Sequence, residues 1–355
     1  MDTSADFVSR PAVSAERQEF YGRLDSKNAA PLWEVLSQLV TPEPRTRVVP
    51  ALWRWTDMQA MLHEANRLIT AKEAERRVLV LENPGLRTIP AFKSQITQSL
   101  YAGLQCIMPG EVAPSHRHVA SALRFVVSGR GAYTAVDGER AAMHPGDFIL
   151  TPSWTFHDHG NDGDEPVIWL DGLDVPIVNM FDTSFAEHHP QEVQPVSRPE
   201  GDALARYGAA MLPVEYRSAG SSAPIFTYPY VRSRAALTQL SRAGAPHQCD
   251  GYKLQYANPA TGGFPMPTIA AFLQLLPGGF AGQPSRSTDA TVFCVAEGRG
   301  RTAIGDTTLE WEPHDVFVVP SWTPVAHHAS TEAVLFSFSD RAAQKALGLW
   351  RHQEG

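Results

Sequence analysis

Residues 114–131 read PSHRHVASALRFVVSGRG, and residues 284–300 read PSRSTDATVFCVAEGRG. Both begin with Pro-Ser, end in Gly-Arg-Gly and carry an apolar, β-branched run between. They differ in their polar cargo: the first holds His116 and His118, the second Ser285 and Ser287. The likeness extends outward. LQCIMPGEVAPS from Leu104 is answered by LQLLPGGFAGQPS from Leu273, and HPGDFILTPSWTFHDH from His144 by EPHDVFVVPSWTPVAHH from Glu312. The offset stays near-constant, at about 168 to 169 residues for most of these features and 170 for the Pro-Ser pair. An ordered set of shared features at a steady offset marks an internal duplication.

Each copy is strand material. FVV, AYTAV, DFILTP and VIWLDGL are short β-branched or aromatic runs, interrupted by Gly, Pro and Asp turns. Short strands at even spacing predict a sandwich or small barrel. Ahead of the first copy, residues 13–40 and 56–77 carry helical patterning; Leu32, Val35, Leu36 and Leu39 recur at helix spacing. Residues 181–245 are mixed and rich in Pro, Ser and Arg, which predicts a linker with some helix around Asp202–Met211.

The chain has 355 residues, 43% of them hydrophobic and 19% charged, the balance of an ordinary globular protein with room for two domains or one doubled architecture. Its net charge is −8, and it has no basic block, which argues against nucleic acid and acidic membrane surfaces as partners. The N-terminus lacks the apolar core of a signal peptide, and no apolar run approaches a membrane span. Cys106, Cys249 and Cys294 are odd in number and scattered, as expected of buried thiols in a reducing cytoplasm.

On a strand, residues i and i+2 share a face, so His116 and His118 project together. Imidazole pairs of this kind suit Fe, Zn, Cu, Ni or Mn, although an isolated His-x-His is more often two ordinary polar residues. A second such pair, His157 and His159 in TPSWTFHDHG, supplies further imidazoles on what reads as the closing strand of the same copy. Three histidines leave coordination positions open, the mark of a catalytic centre.

The spacing Gly110-x5-His116-x-His118 with Gly129, then Gly146-x5-Pro152-x-Trp154-x2-His157-x3-Asn161, resembles the two signature motifs of the cupin superfamily. That resemblance implies a mainly β bicupin: two double-stranded β-helix (jelly-roll) barrels with an N-terminal helical segment. The domains then divide as 1–75 helical segment, 76–180 first cupin with the metal site, 181–245 linker and 246–355 a metal-free second cupin. Ala122 stands where cupins usually carry a glutamate ligand, leaving a neutral triad suited to chelating anions and to oxygen activation at iron. Over nearly the whole chain, PLWEVL, ERRVLVLENPGL, LYAGLQ and WLDGLDVP are similar to the gentisate 1,2-dioxygenase family, related to salicylate and 1-hydroxy-2-naphthoate dioxygenases.

The resemblance implies Fe(II) held by His116, His118 and His157. Its substrate is a small aromatic acid, 2,5-dihydroxybenzoate, chelated through carboxylate and adjacent hydroxyl. Dioxygen then opens the ring between the carbons bearing those groups, giving maleylpyruvate. Ser285, Ser287 and Val325 replace all three ligands in the second copy, and His327 and His328 read as a possible remnant of a lost site.

An inward Arg124 suits a substrate carboxylate or an anionic intermediate, with a structural ion pair as the alternative. Arg76 resembles a carboxylate-contacting arginine of the family, a role that Arg77 could hold instead, with a solvent-facing pair as the equal alternative. Gln105 is a pocket or core residue, and His159 a proton shuttle or a satisfied core histidine. Asp171 is placed to orient a ligating histidine. Tyr101 and Asp158 favour gentisate over salicylate, whose enzymes tend to show tryptophan and glycine there. The competing readings are a salicylate or 1-hydroxy-2-naphthoate dioxygenase and a non-catalytic cupin that binds aromatic acids. A cytoplasmic homo-oligomer, a tetramer by resemblance, is expected.

Overall fold

The computed structural model describes residues 13–209, 211–217 and 220–355. They fall into two compact units divided between Arg45 and Thr46. The first holds helices Ala15–Asp25 and Leu32–Leu39. Ser14 caps the first of these by accepting the Arg17 amide proton at 3.2 Å. Trp33 Nε1 donates to the Tyr21 hydroxyl (2.9 Å), which donates to Glu34 (2.7 Å), tying the two helices together.

The second unit contains four antiparallel sheets. In the first barrel, one sheet runs Thr227–Tyr228, Phe148–Thr151, Ala122–Ser128, Val167–Leu173, Tyr101–Ile107, Val78–Val80. Facing it is a five-stranded sheet: Ala186–His188, Val112–His118, His157–Asn161, Ala132–Val136, Glu139–Ala142. The second barrel repeats the plan. Its six-stranded sheet runs Ala51–Trp53, Val316–Val319, Thr291–Glu297, Ala333–Ser339, Ala270–Leu276, Tyr252–Gln255. Its five-stranded sheet comprises Thr307–Trp311, Gly300–Ile304, Val325–Ala329, Ser285–Ser287, His352–Glu354.

The two six-stranded sheets pack back to back. Leu104, Leu123, Phe125 and Leu170 from one meet Leu273, Phe336 and Phe338 from the other in a single core, with Phe125 and Phe336 stacked at 4.2 Å. Both faces of these sheets are therefore buried, and strands such as Ala270–Leu276 are buried at every position rather than alternately, with Gln274 the one polar residue in that strand. Each barrel also has its own inner cluster, Val126, Ile149 and Trp169 in the first and Phe293, Trp311 and Phe317 in the second.

The repeated motifs mark turns. Trp154 and Trp322 of the two Pro-Ser-Trp-Thr segments both have φ of 57°, and each ring is covered by an arginine, Arg117 at 4.6 Å and Arg286 at 4.5 Å. Gly129 and Gly298 open the Gly-Arg-Gly turns at φ of 85° and 81°. A Cβ there would lie 2.0 Å from Pro166 O or 2.2 Å from Glu332 O, so only glycine fits.

The repeat boundaries depart from the sequence expectation. Ala51–Trp53, expected within a helical segment, pairs with Val316–Val319 of the second barrel, and Thr227–Tyr228, expected in a linker, pairs with Phe148–Thr151 of the first. Each copy thus lends its leading strand to the other barrel. A 14-residue helix follows each strand, Trp55–Leu68 and Tyr230–Ala243. Asp315 accepts the first amide proton of one helix (2.7 Å from Trp55 N), and Asp147 that of the other (2.8 Å from Tyr230 N). Residues 181–245 also supply Ala186–His188, an edge strand beside the first histidine pair, so the segment is structural rather than a connector. The helix expected over 202–211 spans Asp202–Tyr207.

Candidate metal centre and active site

His116 and His118 lie on Val112–His118, and His157 sits directly opposite His116 in the antiparallel register. The three ring centroids are 4.4, 4.9 and 5.3 Å apart, and their ligand atoms all fall within 4.8 Å of one another. Each Nδ1 faces a backbone carbonyl: Pro114 O at 3.2 Å, Ala120 O at 2.7 Å and Thr155 O at 2.9 Å. Donation of Nδ1–H to these carbonyls by His118 and His157 leaves their Nε2 lone pairs free for a metal, whereas His116 Nδ1 also faces the Arg76 guanidinium, which can only donate. Burial is the main force keeping the imidazoles neutral; it pushes His116 down to about 3, assisted by Arg76, and lowers His118 and His157 as well. Three converging neutral imidazoles fit a first-row divalent ion.

The facing sheet brings Arg124. Val119–Ser121 interrupts the strand between His118 and Arg124, so Arg124 meets the histidines because the two sheets face each other, not because one strand continues. Its guanidinium is wholly enclosed, donating to Thr151 Oγ1 at 2.7 Å and lying 3.5 Å from Asp171. Nε is the atom that faces Asp171 at that distance, and it makes no hydrogen bond among the described residues. Burial pushes Asp171 up to about 6 even though Arg124 opposes the shift, and Trp169 Nε1 donates to it at 3.0 Å. Asp171 therefore positions Arg124; the expectation that it orients a ligating histidine is corrected, since backbone carbonyls do that.

Arg76 and Arg77, indistinguishable by sequence, separate cleanly. Arg76 donates to Pro114 O at 2.6 Å and lies against His116 Nδ1; burial, then the nearby Arg124, brings its pKa down to about 10. Arg77 turns away into a buried pair with Glu111 and donates to Ile69 O at 2.9 Å. Arg76 belongs to the site and Arg77 to the scaffold.

Tyr101, Gly103 and Gln105 share one face of Tyr101–Ile107, and Gly103 stands in register with Asp171, which pairs in turn with Arg124. Tyr101 and Gln105 thus flank the arginine row. A Cβ on Gly103 would meet the Tyr101 hydroxyl at 2.9 Å, so this glycine makes room for the ring. Burial raises the Tyr101 pKa, keeping the phenol protonated. His159 shares the face of His157, is 1% exposed, and pairs through Nδ1 with Thr134 Oγ1 at 3.0 Å. Asp158 alternates to the opposite face, where Oδ2 accepts the Gln194 amide proton at 3.0 Å. Sequence reasoning passed over Thr134 and Thr151; a lone polar residue inside AYTAV or FILT was the available signal.

The second barrel keeps the frame without the ligands. Ser285, Ser287 and Val325 occupy the strand positions of the three histidines, while His327 and Thr302 repeat the His159–Thr134 pair at 2.9 Å.

Residues 103–174 match the cupin domain model. The chain is 58% identical to gentisate 1,2-dioxygenase 1 of Aquipseudomonas alcaligenes, over 97% of this chain and 98% of that one. It is 36% identical to 5-aminosalicylate 1,2-dioxygenase of a Comamonas species, over 92% and 87%. The crystal structure of salicylate 1,2-dioxygenase from Pseudoaminobacter salicylatoxidans in its adduct with gentisate superposes with a TM-score of 0.91 at 32% identity, covering 98% and 96%. Fold and site together define a bicupin in which three histidines converge as a candidate metal centre. Within that class, the chain belongs to the gentisate 1,2-dioxygenase family of ring-cleaving enzymes.

Proposed function

We propose that the protein cleaves 2,5-dihydroxybenzoate with dioxygen to maleylpyruvate, using Fe(II) held by His116, His118 and His157. One observation carries this reading: the half-buried Arg76 and the buried Arg124 bring two guanidiniums to the border of the neutral histidine triad, with Asp171 beside Arg124 and Asp158 and Glu75 near Arg76. Guanidiniums at a largely desolvated site suit an anion beside the metal. When bound, iron supplies chelation of the carboxylate and adjacent hydroxyl together with the redox chemistry that lets dioxygen react with the ring. Arg124 is held by Thr151 and Asp171 so that its guanidinium meets the substrate carboxylate. Arg76 stands beside His116 as a second anion contact. His159, fixed by Thr134, moves the proton of a substrate hydroxyl, while Tyr101 and Gln105 shape the ring's bed. Asp158 contributes to selectivity from behind the histidine strand.

The same reading places the first barrel as the catalytic cupin and the second as a metal-free one. It also puts a homotetramer in the cytoplasm, in keeping with three unpaired buried thiols. Light scattering on the purified chain tests the tetramer. Among the described residues no helix is long and apolar enough to cross a membrane. Oxygen uptake by Fe(II)-reconstituted protein with gentisate, salicylate and 1-hydroxy-2-naphthoate tests the substrate. Fast gentisate turnover is expected; rapid uptake with salicylate but none with gentisate overturns the assignment.

A further inference from the structure

The second barrel holds a partly open cavity of about 130 Å³ where the first holds its histidine triad, bordered by Ser285, Val325 and His327. His327 is 3% exposed, and its environment fixes its tautomer. Trp311 Nε1 can only donate, and it donates to Thr302 Oγ1 at 2.9 Å. Thr302 is fully buried, and among the described residues its own proton has one acceptor, His327 Nδ1 at 2.9 Å. Burial pushes the imidazole down to about 3, so the ring is neutral and its single proton sits on Nε2. That N–H has no hydrogen-bond partner among the described residues, and the ring lines the cavity. In the first barrel Met143 takes the tryptophan's place, and its sulfur accepts from Thr134 at 3.6 Å instead of donating. The orientation of the second-barrel relay is thus its own and not an inherited feature.

The charges around the cavity favour the same kind of guest. Lys253, Arg286 and Arg341 border it against two carboxylates, Asp250 and Asp289. Asp289 is taken by Arg341 at 3.1 Å and Trp350 Nε1 at 2.8 Å. Lys253 bonds Asp250 at 3.1 Å, and among the described residues its other ammonium protons have no hydrogen-bond partner. A volume equal to about four waters in the liquid admits a guest of roughly four non-hydrogen atoms.

We propose that this cavity is a binding site for a small carboxylate monoanion, of the size of formate or acetate, received by His327 Nε2–H and the Lys253 ammonium. The ligandless barrel is then a second receptor site rather than a structural spacer. Two measurements on the iron-loaded protein test this. Crystals soaked in sodium acetate should show the anion against His327 Nε2. Calorimetric titration with acetate should show a binding event that weakens at least about tenfold in His327→Leu and Lys253→Met and returns in His327→Gln, whose amide restores a donor. Iron content is expected to stay unchanged in all three, since no metal ligand is touched. Only water in the soaked cavity, or isotherms identical in wild type, His327→Leu and Lys253→Met, overturns the proposal; the comparison with wild type separates this event from anion binding in the first barrel.

Discussion

At the scale of single residues, the histidine triad is a set of lone pairs aimed by the backbone. Pro114, Ala120 and Thr155 carbonyls fix the ring orientations, so removing one imidazole leaves the others in place. His116→Ala should lose metal and ring cleavage together while remaining folded, checked by metal analysis, oxygen uptake and circular dichroism; an active, iron-free variant refutes the site. Arg124 presents a planar fork shared among Thr151, Asp171 and the substrate. Lysine offers a point charge that cannot serve all three. Arg124→Lys should therefore lower kcat/KM by about tenfold to a hundredfold, the cost of one charged hydrogen bond of roughly 1.5–3 kcal/mol. Unchanged kinetics would show that Arg124 is only structural. The histidines were legible in sequence because the serine-bearing copy exposes them by contrast. The choice between Arg76 and Arg77 was not, since adjacent residues on an irregular approach to a strand have no periodicity to separate them.

At the scale of elements, the repeated motifs serve the chain before they serve chemistry. Pro-Ser-Trp-Thr, Gly-Arg-Gly and the turn aspartate recur in a barrel that lacks the three histidines because the turns need them. The aspartate's role reaches across copies, with Asp315 bonding the start of Trp55–Leu68 some 260 residues away. Asp315 also pairs with Arg54 at 3.0 Å. Asp315→Ala should cost about 1 kcal/mol or somewhat more, as the loss of a helix cap does, and appear as a lower Tm with the iron site intact. A Tm equal to that of wild type would show that the cross-copy cap contributes nothing. No local pattern in sequence could announce this bond, because capping signals are sought within a few residues of the helix they serve.

At the scale of the whole molecule, exchanged strands and a common core make the two barrels one cooperative body. Its stability carries a pH signature from Asp340, whose carboxyl burial pushes up from 3.8 to about 6. A carboxyl with a raised folded-state pKa favours folding when protonated. Its contribution is full below about 3.8 and is lost as pH rises through about 6. Melting temperatures of wild type and Asp340→Asn, compared from about pH 4 to about pH 7, should diverge in that window, with wild type losing ground as pH rises. A constant difference across the range would remove Asp340 as the source.

The sequence by itself determined the duplication, the β-barrel class, the metal triad and the loss of that triad in the second copy. Those features rest on residue identity at fixed local spacing, where strand alternation and turn chemistry translate order into geometry directly. Tertiary structure decided which arginine faces the histidine triad, that Asp171 lies beside Arg124 rather than a histidine, and which barrel holds each leading strand and helix cap. It also decided the tautomer of His327, which depends on an indole sixteen residues away along the chain yet two hydrogen bonds away in space. Such facts depend on which sheets face each other and which side chains share a desolvated space, and only the folded chain brings those partners together.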